Sequence, residues 1–200
     1  MKKENTAMDK EEILWRVNYK VLNCYLEFFR EEGFWITTNQ SWNLARWNIY
    51  GNVLISEHAV KKFLCHKELE KNSKAIEWGG RKGSRCFVAE HVVPFSIVKD
   101  LYLEKFKNNN PTYDQYRDFF LHFNRVCYVW HREDECLKDI GYNHNVPEIE
   151  NIENQVFGRY LEANIKHIQT KYKTGNELFK ALKNYRNENL RADKVINLIQ

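Results

Sequence analysis

The residues best suited to chemistry lie between Cys86 and Pro147. A short apolar segment there carries Glu90 and His91 side by side, and a second segment, RVCYVWH, ends at His131. The acidic run EDE at 133–135 follows, where a helix is expected to begin. Two strands followed by a helix can bring a general base and a metal ion together within a short stretch of chain, so this region is the candidate site.

The chemistry that these residues suit is hydrolysis of a phosphodiester. That reaction needs a nucleophilic water, neutralisation of the phosphate charge and stabilisation of the leaving oxygen. A neutral imidazole, with an ordinary pKa of about 6.5, can take the proton of the water near neutral pH, which is the role expected of His91. A divalent cation such as Mg²⁺, bound by a few oxygen ligands and by water, serves the other two needs.

Glu90 and His91 are neighbours in a predicted strand, where neighbouring residues point to opposite faces. Both side chains can therefore serve one site only where the backbone bends. Pro94 has no amide hydrogen to give to a strand ladder, so we expect a bend just before it.

Two segments carry a resemblance to a known family. EHVVPFSIVKD resembles the D-H-I-V-P-x-S run of HNH (ββα-metal) endonucleases, and VWHREDECLKDIGYNHNVP resembles their second strand, metal-binding helix and terminal N-V-P. The resemblance covers less than a third of the chain and is interrupted by an insertion from Lys99 to Asn124. It implies hydrolysis of DNA with a divalent cation, most often Mg²⁺ with Mn²⁺ as an alternative.

The resemblance also assigns roles to residues. Glu90 matches the acidic metal ligand and His91 matches the general base. In the family the helix supplies a second ligand, but no Asn follows the second strand here at the usual offset. Asp134 is therefore the first choice of ligand, with Glu133 and Glu135 as alternatives.

Basic side chains ahead of the first strand are expected to contact nucleic acid. Arg81, Lys82 and Arg85 lie on the Gly-rich segment GGRKGSR, where they can reach backbone phosphates. His131 is expected to contact a phosphate or to join the metal ligands, and His144 can serve as the third residue of the H-N-H motif that gives the family its name. The alternatives are that the Gly-rich segment is a solvated linker and that the histidines face solvent without a role in the site.

The expected partner is DNA, with RNA not excluded, and the helical additions suggest target recognition or assembly into a homodimer or larger complex. A role in restriction or phage defence is suggested only by the resemblance, because members of that family often act in these processes. A second hypothesis is an HNH-like nucleic-acid-binding or regulatory protein that has lost cleavage, which would explain the missing Asn. A third is a purely helical interaction protein.

The apolar spacing predicts the elements around the site. Helices are expected at Asp9 to about Glu32, Ser56 to about Lys74, Ile97–Phe106 with Ser96 as its cap, Tyr113–Phe123, a short helix closed by Gly141, most of Ile152–Lys171, and Asn176–Leu198. Strands are expected at Cys86–Val93 and Arg125–His131, and Phe34–Ile55 is expected to be irregular or briefly extended.

These elements predict an α+β fold, with a small ββα-metal core embedded in a mainly helical domain. The predicted regions are a helical region with the basic loop at 1–83, the HNH-like core with its helical insertion at 84–147, and a helical region at 148–200. A hydrophobic content of 43% with 14% aromatics is enough for a globular core.

Composition excludes several other classes. No stretch approaches the roughly 18 apolar residues of a membrane helix, and the first residues lack a signal-peptide core, so we expect a cytoplasmic protein. The net charge of +4, from 31 basic and 27 acidic residues, is by itself weak support for nucleic-acid binding. The five cysteines form no C-x-x-C pair and are expected to be buried free thiols.

Overall fold

The structure is a computed structural model, and it describes residues 10–33, 51–65, 86–147 and 152–200. Helices and strands follow one another through these ranges. The order is α1 (Lys10–Glu32), β1 (Leu54–Ser56), α2 (Glu57–Cys65), β2 (Phe87–His91), α3 (Phe95–Phe106), α4 (Tyr113–Phe123), β3 (Val126–Trp130), α5 (His131–Asp139), α6 (Gly158–Glu162), β4 (His167–Gln169), α7 (Gly175–Asn187) and α8 (Ala192–Ile199). The fold is α+β.

A four-stranded sheet forms the centre, in the order β2-β3-β1-β4. β2 runs antiparallel to β3, β1 runs parallel to β3, and β4 runs antiparallel to β1. Glu90 lies opposite Cys127 and His91 lies opposite Val126. The strands come from all three predicted regions of the chain, so the candidate site is built on a sheet that the whole chain contributes to.

Each face of the sheet carries its own apolar cluster. The side chains of β3 alternate between them: Cys127 and Val129 join the first cluster, and Tyr128 and Trp130 join the second. The first cluster contains residues of α1, α3, α4 and α5, and the second contains residues of α2, α7 and α8. All five residues of β3 are buried because both of its faces are covered.

The predicted strands and helices around the site are observed, with two corrections. α3 begins at Phe95, and Ser96 lies inside the helix instead of capping it, because the carbonyl of Pro94 already accepts the first helical hydrogen bonds, from the backbone nitrogens of Ile97 and Val98. The segment Ile152–Lys171 is not mostly helical: α6 spans five residues and β4 pairs with β1. A strand of three residues, stabilised by pairing with a distant strand, leaves little periodicity to read.

The cysteines are free, as expected, but the prediction that they are buried is wrong for most of them. Cys127 is buried, Cys24 and Cys65 are exposed, and the other two are intermediate. Among the helices that the structure describes, none combines the length and apolar character needed to span a bilayer.

Candidate active site

The candidate site is formed where two antiparallel strands meet the helix that follows them. The chain passes from Trp130 at the end of β3 directly into α5, and α5 packs against both β2 and β3. Glu90 shares its face of the sheet with its cross-strand neighbour Cys127, which belongs to the first cluster. The face that carries Glu90 is therefore the face that α5 covers.

Glu90 is largely buried, with a side chain that is 18% exposed. Its Oε1 accepts a hydrogen bond of 2.6 Å from Nη2 of Arg159. Burial raises the pKa of the Glu90 carboxyl, and the Arg159 guanidinium opposes that rise. The charge of Asp134 raises the same pKa further, and that of Lys138 lowers it. Glu90 thus lies within electrostatic reach of the helix carboxylate that the sequence selects.

Arg159, which the sequence reading missed, is the most buried charge in the described structure, with 0% exposure. Besides Glu90, it donates from Nε to the carbonyl of Val92 and from Nη1 to the carbonyl of Tyr142, each at 2.8 Å, and from Nη2 to the carbonyl of His91. One guanidinium therefore ties α6 to the end of β2 and to the loop after α5. The only signal in the sequence is a charged residue set among apolar ones.

Asp134 is the fourth residue of α5, and its side chain is 11% exposed. Its Oδ2 forms an ion pair with Nζ of Lys138, one helical turn further on. The Lys138 side chain is 47% exposed, so this pair lies at the solvent edge of the site. The spacing of four residues would have revealed this pair, because residues at i and i+4 are neighbours on a helix.

Glu133 is placed differently from Asp134. Its Oε2 accepts from the backbone nitrogen of Trp130 at 2.8 Å and from Oγ of Ser56 at 2.6 Å. It therefore caps the start of α5 and joins that helix to β1. Burial, followed by the charges of Glu133 and Glu90, raises the pKa of the Cys127 thiol, which places both carboxylates near this residue. Glu133 thus lies beside the site with one oxygen already engaged.

His91 is the last residue of β2 and is 7% exposed. Regular alternation would send its side chain away from Glu90. The chain leaves the strand immediately afterwards, however, and the His91 ring lies 5.8 Å from the ring of Phe95, which packs against the first cluster. The backbone carbonyl of His91 is held by Arg159. Arg159 thus holds the backbone that carries His91 as well as the Glu90 carboxylate.

The carboxylates of Glu90 and Asp134 are the donors that suit a Mg²⁺ ion. Within the described ranges, no three His, Cys, Asp or Glu side chains are grouped so as to hold a metal ion. Magnesium sites usually combine one or two carboxylates with water and substrate oxygens, so two donors are sufficient. Arg159 and Lys138 balance these carboxylates, and an added cation must compete with the ammonium on Asp134.

A basic cleft of about 410 Å³ opens beside the N-terminus of α5. Lys61, Arg132 and Lys166 line it, together with the acidic Glu57 and Glu133. Glu57 lies 3.7 Å from the Lys61 ammonium, and Glu133 is engaged in capping. The three basic side chains are exposed and can meet an anion that enters the cleft.

The remaining predicted contacts fall elsewhere. Arg81, Lys82 and Arg85 lie outside the described residues. His131 opens α5, with its ring centroid 4.5 Å from that of Trp130; its buried Nδ1 has no hydrogen-bond partner among the described residues. His144 is exposed, and its Nε2 lies 3.0 Å from Nδ2 of the Asn143 side chain.

Comparison with protein-family models, with curated proteins and with solved structures finds no match to this chain.

Proposed function

We propose that this protein is a metal-dependent endonuclease that hydrolyses phosphodiester bonds of DNA. In this proposal Glu90 and Asp134 bind a divalent cation such as Mg²⁺, and His91 is the general base. The nuclease core is the unit of β2, β3 and α5, in which the resemblance to HNH nucleases lies. Restriction or defence against phage is the biological setting that we propose for it.

The observation that carries the proposal is the position of two carboxylates from distant parts of the sequence. Glu90 near the end of β2 lies on the face of the sheet that α5 covers, and the charge of Asp134, in the first turns of α5, reaches it and raises its pKa. Both are mostly buried and each is already paired with a cation of the chain, so a bound metal ion would have to take over part of that pairing. Two carboxylates on a strand end and a helix start are the donor set that the proposed ion requires.

Each group has a stated task in the proposed reaction. When bound, the cation would neutralise charge on the scissile phosphate and on the leaving oxygen. His91 takes the proton of the attacking water at an imidazole nitrogen. Arg159 holds the carbonyls of residues 91 and 92, which keeps the histidine and the Glu90 carboxylate in a constant relation. The positive charges of Arg159 and Lys138 both lower the pKa of the Glu90 carboxyl, against the larger effect of burial, which raises it.

Nicking of supercoiled plasmid in Mg²⁺ or Mn²⁺ tests the proposal. The wild-type protein should nick, EDTA should abolish the activity, and His91→Ala should lower the rate by about 100-fold or more, the usual size of a general-base contribution. His122→Ala, an exposed histidine on α4, is the matched control and should keep the wild-type rate. Equal nicking by wild type and His91→Ala would assign the activity to another site or to a contaminant.

A second candidate is an HNH-like protein that binds nucleic acid without cleaving it. The observation that favours it is the pairing of each carboxylate with a cation of the chain itself, Glu90 with Arg159 and Asp134 with Lys138. Such a protein would shift DNA in a gel at low salt but would not nick it with any divalent ion. A purely interacting helical protein would do neither.

A further inference from the structure

The two cations of the candidate site differ in how firmly they are held. Arg159 is fully buried and donates to four different acceptors, so it is fixed in place. Lys138 has a half-exposed side chain, and in the part of the chain that the structure describes its ammonium finds one acceptor, Asp134. If one of the two cations leaves its carboxylate, Lys138 is the one with the freedom to do so.

We propose that Lys138 is a phosphate-binding residue of this site, and that it exchanges Asp134 for a phosphate oxygen of the nucleic acid when the substrate binds. The proposal rests on the proposed function and names the residue that couples binding of the metal ion to binding of the nucleic acid. Nothing in the sequence motif assigns this role to Lys138. The role is inferred from the ion pair between Lys138 and Asp134, in which the lysine is half-exposed and the aspartate is mostly buried, and from the position of that pair at the solvent edge of the site.

The exchange follows from charge. An ammonium on Asp134 repels an incoming divalent cation and occupies one of its ligands. A phosphate offers the ammonium another anionic partner, and the long, flexible lysine side chain can move to it. The carboxylate is then released at the moment when the substrate arrives. Metal ion and nucleic acid should therefore bind cooperatively, each raising the affinity for the other by the same factor.

Binding of Mn²⁺ to the full chain, measured by electron paramagnetic resonance, tests this coupling. All proteins carry His91→Ala, so that a short DNA duplex is not cleaved during the titration. In this background the duplex should raise Mn²⁺ affinity about tenfold, within the usual range of coupling between sites. Adding Lys138→Gln should raise the affinity without DNA by a similar factor, and the duplex should then add little.

Two further variants make the test specific. Lys107→Gln removes a lysine of similar exposure, just past the end of α3, which is also paired with a nearby carboxylate, Glu104, and should leave the coupling unchanged. Lys138→Arg keeps the positive charge and should retain the coupling, because a guanidinium can also leave Asp134 for a phosphate. Loss of coupling in Lys107→Gln would overturn the proposal.

The inference and the proposed function fail in different ways. Suppose that Mn²⁺ binds and that Asp134→Asn abolishes binding, but Lys138→Gln has the same affinity and the same response to DNA as its parent. The role of Lys138 is then wrong while the metal site stands. If Mn²⁺ does not bind the parent protein with or without the duplex, the metal-dependent function is wrong, and the inference falls with it.

Discussion

Replacing Arg159 with methionine should destabilise the protein strongly. Methionine fills a similar volume but offers no donor, so the Glu90 carboxylate loses its buried partner and three backbone carbonyls lose theirs. Removing one member of a buried ion pair typically costs about 3–5 kcal/mol, because the other charge is left uncompensated. The three carbonyls that lose their donor increase this free-energy cost, whereas the partial exposure of Glu90 to water reduces it. We expect a loss of about 4 kcal/mol, a large share of the stability of a typical domain.

A double-mutant cycle separates the ion pair from the rest. Arg159→Met combined with Glu90→Leu removes the uncompensated charge and should recover about 2 kcal/mol of the expected loss, within the range seen for residues in contact. Urea unfolding followed by tryptophan fluorescence measures each variant. Lys107→Met, which removes an exposed lysine paired with the exposed Glu104, is the matched control and should cost less than about 1 kcal/mol.

Two results would refute this reasoning. One is a loss below about 1 kcal/mol for Arg159→Met, which would mean that the buried donor does not hold these acceptors. The other is a double mutant whose loss equals the sum of the two single losses, which would mean that Glu90 and Arg159 are not coupled. Arg159→Lys keeps the charge without the fork of donors, and its stability should fall between those of wild type and Arg159→Met.

Three further predictions follow from the same geometry. The pKa of Glu90 is raised above its ordinary value of 4.5 in the folded state, so protonation of this carboxyl favours folding. The unfolding free energy of wild type relative to Glu90→Gln should therefore rise as pH falls from neutral towards 4.5. A difference that stays flat across that pH range would contradict this. Ser56→Ala should lower the unfolding free energy by about 1 kcal/mol, since its Oγ accepts from the first turn of α2 and donates to Glu133, whereas no change would deny the cap. If DNA phosphates enter the basic cleft, Lys61→Glu with Lys166→Glu should weaken DNA binding and reduce the salt dependence of affinity by about two ions, measured by fluorescence anisotropy; an unchanged salt slope would exclude the cleft.

The local pattern around the candidate site could be predicted because it depends on neighbours in the chain. Apolar and β-branched residues on both sides of Glu90 and His91 favour a strand, and the acidic start after β3 favours a helix. Once two antiparallel strands are followed directly by a helix, there is little freedom in how the helix packs. The sequence therefore predicted a helix carboxylate near Glu90 and named Asp134 first among three adjacent acidic residues, a choice that stays a prediction. That choice depends on helix phase and on the capping role that Glu133 takes.

The sequence by itself determined the strand and helix order around residues 86–147 and the α+β class, because propensity and periodicity act over a few neighbouring positions. Tertiary structure alone decided the rest. β1 and β4 are three-residue strands that exist because they pair with each other and because β1 also pairs with β3. Arg159 reaches the end of β2 across 69 residues of chain from Glu90, and its burial is favourable only because four acceptors meet it there. A buried charge and a short strand both depend on partners far away in the sequence, and those partners meet only when the chain is folded.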